Sequence, residues 1–267
     1  MSALAAHGAA LLGGSLVRAE PIGGGDLSSV MRIVLADGRE AVVKDGPDPP
    51  AEAAMLRAIR ATGAPAPDVL AVDATALVLE RLAVSDDRGA DADLGRAVAR
   101  LHAATGARYG WAQDFAFGRV AIENGWSAEW PAFWAERRLL CHVPHCDPAL
   151  GRRIESLAAS LSKRLPARPR PALLHGDLWG GNVLCDGARV SGLIDPACSY
   201  GHAEVDLALL TLFGRPGPAF RDAYGPAEPG FSERVPLYQL WPALVHLRLF
   251  GAGYRGMVEG LLDAVGV

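Results

Sequence analysis

The stretch LLHGDLWGGNVL, residues 173–184, followed by LIDPA at 193–197, decides how the rest of this chain is read. Within it stand His175, Asp177, Asn182 and Asp195, in an order and spacing that suit transfer of a phosphoryl group to a hydroxyl. A hydroxyl nucleophile needs a carboxylate to orient it and take its proton, and the phosphates of ATP need magnesium held by oxygen ligands from fixed backbone positions. Asp177 is placed to be that base. Asn182, five positions on, can carry its amide oxygen across a short loop to one Mg2+, and Asp195, at the end of the next strand, can bridge metal and phosphates. Asp, Asn and Gly are also common in turns. Turn chemistry accounts for HGD or GGN singly, but not for both with a carboxylate correctly placed downstream. His175 is expected to brace the loop by hydrogen bonding rather than to react, and Trp179 suits either a substrate wall or core packing.

The pattern is H-x-D-x-x-x-x-N followed by a metal-binding Asp, with Asp195-Pro196-Ala197 standing where protein kinases carry D-F-G. Upstream, RIVLA at 32–36 and AVVK at 41–44 flank Asp37-Gly38, a hairpin-turn signal that predicts two antiparallel strands. Before them, the run Gly23-Gly24-Gly25-Asp26-Leu27-Ser28-Ser29 follows a strand-like LVRAEPI. A Gly-rich hairpin lets backbone amides approach phosphates closely, though a surface turn explains the glycines equally well. Lys44 closes the AVVK strand and resembles the V-A-I-K lysine that contacts ATP phosphates. A helix at about 50–62 then carries Glu52, placed to meet Lys44. Strands at 69–73 and 76–82 complete a small sheet. The chain turns polar at AVSDDRGADAD, which sets a boundary between a nucleotide-binding lobe, 1–82, and a catalytic and substrate lobe, 83–267. Backbone groups from Glu80 to Leu82 are positioned to meet an adenine edge across that hinge.

From Asp93 the reading is mainly helical. A helix at 94–105 has Asp93 as its expected N-cap, and others are expected over 126–140 and 149–165, through AEVDLALLTLFG, through ERVPLYQLWPALVHLRLFG with a kink at Pro242, and near 254–265. With 267 residues, 50% of them hydrophobic, and a net charge of −4, the chain can bury a substantial core. No basic stripe interleaved with aromatics points to nucleic acid. The N-terminus is Ala-rich but lacks a charged leader region and is too short and Gly-broken to cross a bilayer, so a cytoplasmic protein without a membrane partner is expected. The cysteines, Cys141, Cys146, Cys185 and Cys198, form no disulfide framework and are expected to be reduced. The cluster CHVPHC at 141–146 invites a zinc reading. Pro144 and the absence of C-x-x-C spacing favour a helix end and loop instead.

HGDLWGGN, the run from Asp195 through Tyr200, Gly201, His202, Glu204 and Asp206 to Ala208, Leu-Phe-Gly at 212–214 and the tail LYQLWPALVHLRLFGAGY together resemble the fructosamine (ketosamine) kinase family nearly end to end. The resemblance implies an α+β, bilobal protein-kinase-like fold: a small antiparallel-sheet lobe with one main helix, and a larger, mainly helical lobe. It implies ATP-dependent phosphorylation of the sugar 3-hydroxyl of a ketosamine, small or protein-bound, whose phosphorylated adduct is unstable and therefore sheds the sugar. On this basis Asp177 is the proton acceptor and Asn182 and Asp195 hold Mg2+. Gly23, Gly24, Gly25, Ser28 and Lys44 contact ATP phosphates, Glu52 supports Lys44, and Glu80 to Leu82 form the adenine hinge. The chain departs from many relatives at Ala203, where they carry Arg, and at Cys198-Ser199, where they carry a second Tyr. It has no Cys before 141, so a redox-linked dimer through the phosphate loop is not expected. Glu204 is expected to organise the loop after Asp195, and Asp206 to brace the catalytic loop. An aminoglycoside- or choline-kinase-like enzyme is the competing reading, kept open by Trp126, Trp130 and Trp179 as a cation cage. A nucleotide-binding pseudokinase scaffold has no need of an intact Lys44, Asp177, Asn182 and Asp195.

Overall fold

The computed structural model describes residues 2–23, 28–85 and 89–267. It opens on a helix, α1 (Ala3–Leu11), that the sequence reading did not anticipate. Its buried side chains are alanines, packed with Ile33, Leu35, Ala41, Val43, Ala76 and Val78 on the back of a sheet. Contact is so close that a Cβ on Gly8 would fall 2.7 Å from Val43 Cγ2. A helix that docks through small residues carries little hydrophobic periodicity, so its signal is tertiary.

The sheet follows as β1 (Leu16–Pro21), β2 (Val30–Leu35), β3 (Glu40–Lys44), then helix α2 (Pro49–Ala61), β4 (Val69–Val72) and β5 (Leu77–Glu80), with spatial order β1-β2-β3-β5-β4 and every pairing antiparallel. The Asp37-Gly38 turn forms as its residues require: Gly38 sits at φ 85°, a conformation glycine enters without steric cost. The side chain of Asp48 caps α2, accepting the Ala51 N–H at 3.0 Å.

The second lobe begins with α3 (Asp91–Ala103). Asp93 is not its N-cap. It lies inside the first turn, and its carboxylate accepts the Val190 N–H at 2.9 Å, tying α3 to a later strand. A hairpin that was not anticipated, β6 (Phe115–Phe117) and β7 (Val120–Ile122), comes next. The helix expected from 126 starts at Trp130, because Ser127 exchanges both backbone hydrogen bonds with Tyr109 and Pro131 favours the first turn. This helix, α4 (Trp130–Trp134), runs into a π-helical turn at Ala135–Leu139 and a 3-10 turn at Leu140–His145. The CHVPHC segment is therefore wound rather than an open loop, with the Cys141 thiol donating to the Arg137 carbonyl.

Helix α5 (Pro148–Ser160) leads to the short strands β8 (Ala172–Leu174), β9 (Val183–Asp186), β10 (Arg189–Leu193) and β11 (Ser199–Gly201). β9 pairs with β10 and β11 with β8. The chain closes with α6 (Glu204–Leu212), an unanticipated α7 (Pro218–Tyr224), α8 (Phe231–Phe250) and α9 (Arg255–Ala264). α8 runs through Pro236 and Pro242, whose missing N–H groups remove two rungs of its hydrogen-bond ladder. No helix among the described residues is long and apolar enough to cross a membrane.

Three cores hold this together. One lies on the back of the sheet, and a second, inside the helical lobe, is built on Trp130, Phe133, Trp134, Tyr238 and Trp241. The third joins the lobes: Met55, Leu56 and Ile59 of α2 pack with Leu101, Leu173, Leu178, Leu193 and Cys198. All six tryptophans lie at position 111 or beyond, so their fluorescence reports on the helical lobe. Leu56→Ala, which empties a fully buried site of α2, is expected to lower stability by about 2–4 kcal/mol. The tryptophan-monitored urea midpoint should fall with it. An unchanged midpoint would mean that the lobes unfold independently.

Candidate active site

Two loops meet back to back beneath the sheet. The first follows β8 and carries His175, Gly176 and Asp177; the second follows β10 and carries Asp195, Pro196 and Ala197. The Ala197 N–H donates to the His175 carbonyl at 2.8 Å, and a Cβ on Gly176 would lie 2.0 Å from the Ala197 carbonyl oxygen. Gly176 also sits at φ 81°. Its place is fixed on both counts by the absence of a side chain.

Underneath, the wholly buried Asp206 of α6 accepts the His175 N–H at 2.7 Å on one oxygen and the Gly176 N–H at 2.9 Å on the other. His102 Nε2 donates to it as well, at 3.1 Å, and His102 Nδ1 meets the Tyr224 hydroxyl at 2.9 Å. Burial drives the Asp206 carboxyl upward. The His102 hydrogen bond, the neighbouring histidines and the backbone N–H groups outweigh it and hold the group below its usual range. Asp206 thus braces the catalytic loop, as expected. His175 does the same from within: its Nδ1 accepts the Asp177 N–H at 3.3 Å, and burial pushes its pKa down, keeping the ring neutral.

Asn182 donates its side-chain amide to both the carbonyl and the carboxylate of Asp177, each at 2.8 Å. Both partners are acceptors, so the nitrogen must face Asp177, and Oδ1 is left to face elsewhere. Asp195 is the one non-glycine residue at positive φ among those described, at 54°, in a region that Asp tolerates better than most residues. Its carboxylate meets Lys44 Nζ, which also donates to Glu52 at 2.9 Å. Burial pulls the Lys44 pKa down, but the Glu52 and Asp195 carboxylates more than offset it and hold the ammonium charged.

These residues face one cavity of about 380 Å³, lined by Ser28, Lys44 and Glu52 on the sheet side and by Asp177, Asn182 and Asp195 on the other. Its far wall is aromatic and comes from segments that carry no phosphotransfer motif: Phe115 and Phe117 of the β6–β7 hairpin, and Trp241, His246 and Phe250 of α8. The loop residues Trp179, 40% exposed, and Phe213 complete it. Trp179 thus lines the cavity rather than packing in the core. Trp130 is instead buried in the helical core, and Trp126 stacks on Tyr200 outside the cavity. Gly23 is exposed and does not line the cavity, and Gly24 and Gly25 lie outside the described residues. Glu80 and Leu82 do not line it either. The Glu80 N–H donates to the Asp68 carbonyl at 2.8 Å, and Leu82 packs over Gly192. Glu204 pairs bidentately with Arg234 of α8, at 2.7 and 2.6 Å, so the loop after Asp195 is anchored despite Ala203. Cys198 is fully buried, its N–H on Met55 Sδ.

A lysine–glutamate pair, a carboxylate at the end of a strand and an Asp–Asn loop gathered on one cleft between a sheet lobe and a helical lobe define a protein-kinase-like phosphotransferase with an alcohol group as acceptor. The fold is shared with an aminoglycoside phosphotransferase structure at a TM-score of 0.65 and 17% identity, covering 94% of this chain and 95% of that one. The chain belongs to the fructosamine kinase family, whose model matches residues 15–265. A protein of Lactiplantibacillus plantarum named as a probable ketoamine kinase is 33% identical over 262 residues, 91% of this chain and 92% of that one. The crystal structure of a Thermobifida fusca protein provisionally assigned as a fructosamine-3-kinase superposes with a TM-score of 0.89 at 32% identity, covering 98% of both chains.

The Asp177 carboxyl faces the cavity. Burial pushes its carboxyl up to about 7, the Asn182 amide opposes this, and the Asp195 and Asp206 charges reinforce it. A carboxylate raised in this way contributes stability that is fully present below its unfolded value of about 4 and is lost as pH rises through about 7. Asp177→Asn is therefore expected to be more stable than the parent at pH 8, by about 1–2 kcal/mol after allowing for partial exposure. The gap should narrow at pH 5.5. Urea titrations at the two pH values check the sign, and a variant less stable at pH 8 would contradict it.

Proposed function

We propose that this protein transfers the γ-phosphoryl group of ATP to the sugar 3-hydroxyl of a ketosamine, and that the resulting unstable adduct releases the sugar from the amine. One observation carries the reading: the Asp177–Asn182 pair and the Lys44–Glu52–Asp195 cluster open onto the same cavity as the aromatic wall. Nucleotide phosphates and an acceptor sugar can thus meet at Asp177. The substrate class follows the names of the relatives, and the 3-position follows the name given to the Thermobifida fusca protein.

In this reading Asp177 orients the acceptor hydroxyl and takes its proton, and its raised pKa matches that task near neutral pH. Asn182 Oδ1 and the Asp195 carboxylate are hard oxygen donors that fit Mg2+, and the bound ion would neutralise the charge of the phosphates. Lys44, held charged beside Asp195, would turn to the phosphates while Glu52 keeps it in place. Ser28, on the cavity, would contact the nucleotide phosphates, the role that the family resemblance also gives to Gly23, Gly24 and Gly25. The adenine edge would meet backbone groups of the hinge from Glu80 to Leu82 other than the Glu80 N–H, which is engaged by the Asp68 carbonyl. The lobes would divide at 82/83. Arg81 still pairs with Glu40 of the sheet, whereas the Ser85 N–H already donates to the Cys185 carbonyl. Four free cysteines suit a cytoplasmic setting.

Magnesium-dependent ADP release should be stimulated by ribose- or fructose-derived ketoamines and should fall by about three decades or more in Asp177→Ala. Turnover of choline or an aminoglycoside with none of ketoamines would sink the ketosamine reading. It would leave a kinase of the same fold with a different acceptor.

A further inference from the structure

The acceptor side of the cavity has two walls that are distant in sequence, the β6–β7 hairpin and the C-terminal half of α8. A lone two-stranded hairpin is marginal in water and keeps its place by what it packs on. The base of this one is fixed. The Asn124 N–H donates to Asp114 at 2.7 Å, and the buried Arg138 donates to the Glu123 carbonyl at 2.6 Å and to the Asn124 side chain at 2.7 Å. Beside the turn, the Phe117 ring packs against Trp241, with centroids 6.2 Å apart.

The tip is the two-residue turn Gly118-Arg119, with Gly118 at φ 52°. Arg119 Nη2 donates to the carbonyl of Arg248 and, at 3.0 Å, to that of Leu249. Those carbonyls belong to the last turn of α8, where backbone acceptors have no partner within the helix and the helix dipole favours a cation. Leu249 and Phe250 line the cavity, and so do Phe117 and Gly118 on the other side of the contact.

We propose that Arg119 is a positioning residue that latches the hairpin tip to the C-terminus of α8, and so sets the width of the acceptor pocket and the affinity for the acceptor. It touches neither the phosphate side nor Asp177, so its effect falls on the acceptor alone. This inference rests on the ketosamine reading for its kinetic test but not for its structural one.

Arg119→Ala should raise KM for a ketoamine about fivefold or more, with kcat, KM for ATP and Tm unchanged, and Arg119→Lys, which keeps one donor group, should recover part of the loss. Amide hydrogen exchange across 115–122 should quicken in Arg119→Ala. A ketoamine KM within twofold of the parent, or equal losses in KM for ATP and in kcat, would overturn the latch. Should the parent protein ignore every ketoamine, the ketosamine reading fails, and hairpin exchange then decides: faster exchange in the variant upholds the latch, and unchanged exchange overturns it.

Discussion

The site hangs on a carboxylate that never meets substrate. Asp206 is wholly buried, where an unpartnered carboxylate would cost several kcal/mol, and the backbone N–H groups of His175 and Gly176 together with the His102 ring satisfy it. The arrangement works in both directions. The carboxylate gives two otherwise stranded loop amides their partners, and those amides fix the loop that aims Asp177. Because His102 comes from α3, the catalytic loop from the segment after β8 and Asp206 from α6, one buried charge sets three elements against each other. The Tyr224 hydroxyl on His102 extends the same network to α7.

Around this anchor the cleft gathers the Lys44 ammonium and the carboxyl groups of Glu52, Asp195 and Asp177. Lys44 lies between Glu52 and Asp195, and Asp177 stands opposite with its proton affinity raised by burial. Two carboxylates around one ammonium, with a third carboxyl nearby, leave the cleft short of positive charge, the condition under which a divalent cation binds well. The left-handed backbone at Asp195 and the glycine at 176 let the two loops approach closely enough to share that cleft.

Much of this was legible in the chain. The hairpin at Asp37-Gly38, α2 with Glu52 and the strands around HGD and DPA form where local chemistry places them, and the bracing role of Asp206, made by partners 30 or more positions away, follows the family resemblance. The misses share a cause. α1 docks through alanines and a glycine, so it shows no apolar stripe. Asp93 looks like a cap but is drawn to the Val190 N–H, which lies 97 positions along the chain. The helix at 126 loses its first residues to a bridge between Ser127 and Tyr109. In each case a partner distant in sequence outweighs a local preference of about 1 kcal/mol or less.

The chemistry can be read from residue types and short spacings: which side chains carry charge, which spacing lets Asn182 reach back to Asp177, and where glycine permits a loop that other residues would strain. Those are properties of neighbours within a few residues. The aromatic wall of the cavity exists only once the elements are packed. Phe115 and Phe117, Phe213, and Trp241 to Phe250 form one wall because a hairpin and a long helix meet there, and Trp179 faces that wall rather than the core. Side-chain packing across more than a hundred residues has no local signature, since the burial that drives it depends on which apolar faces are left to pair once the elements have formed.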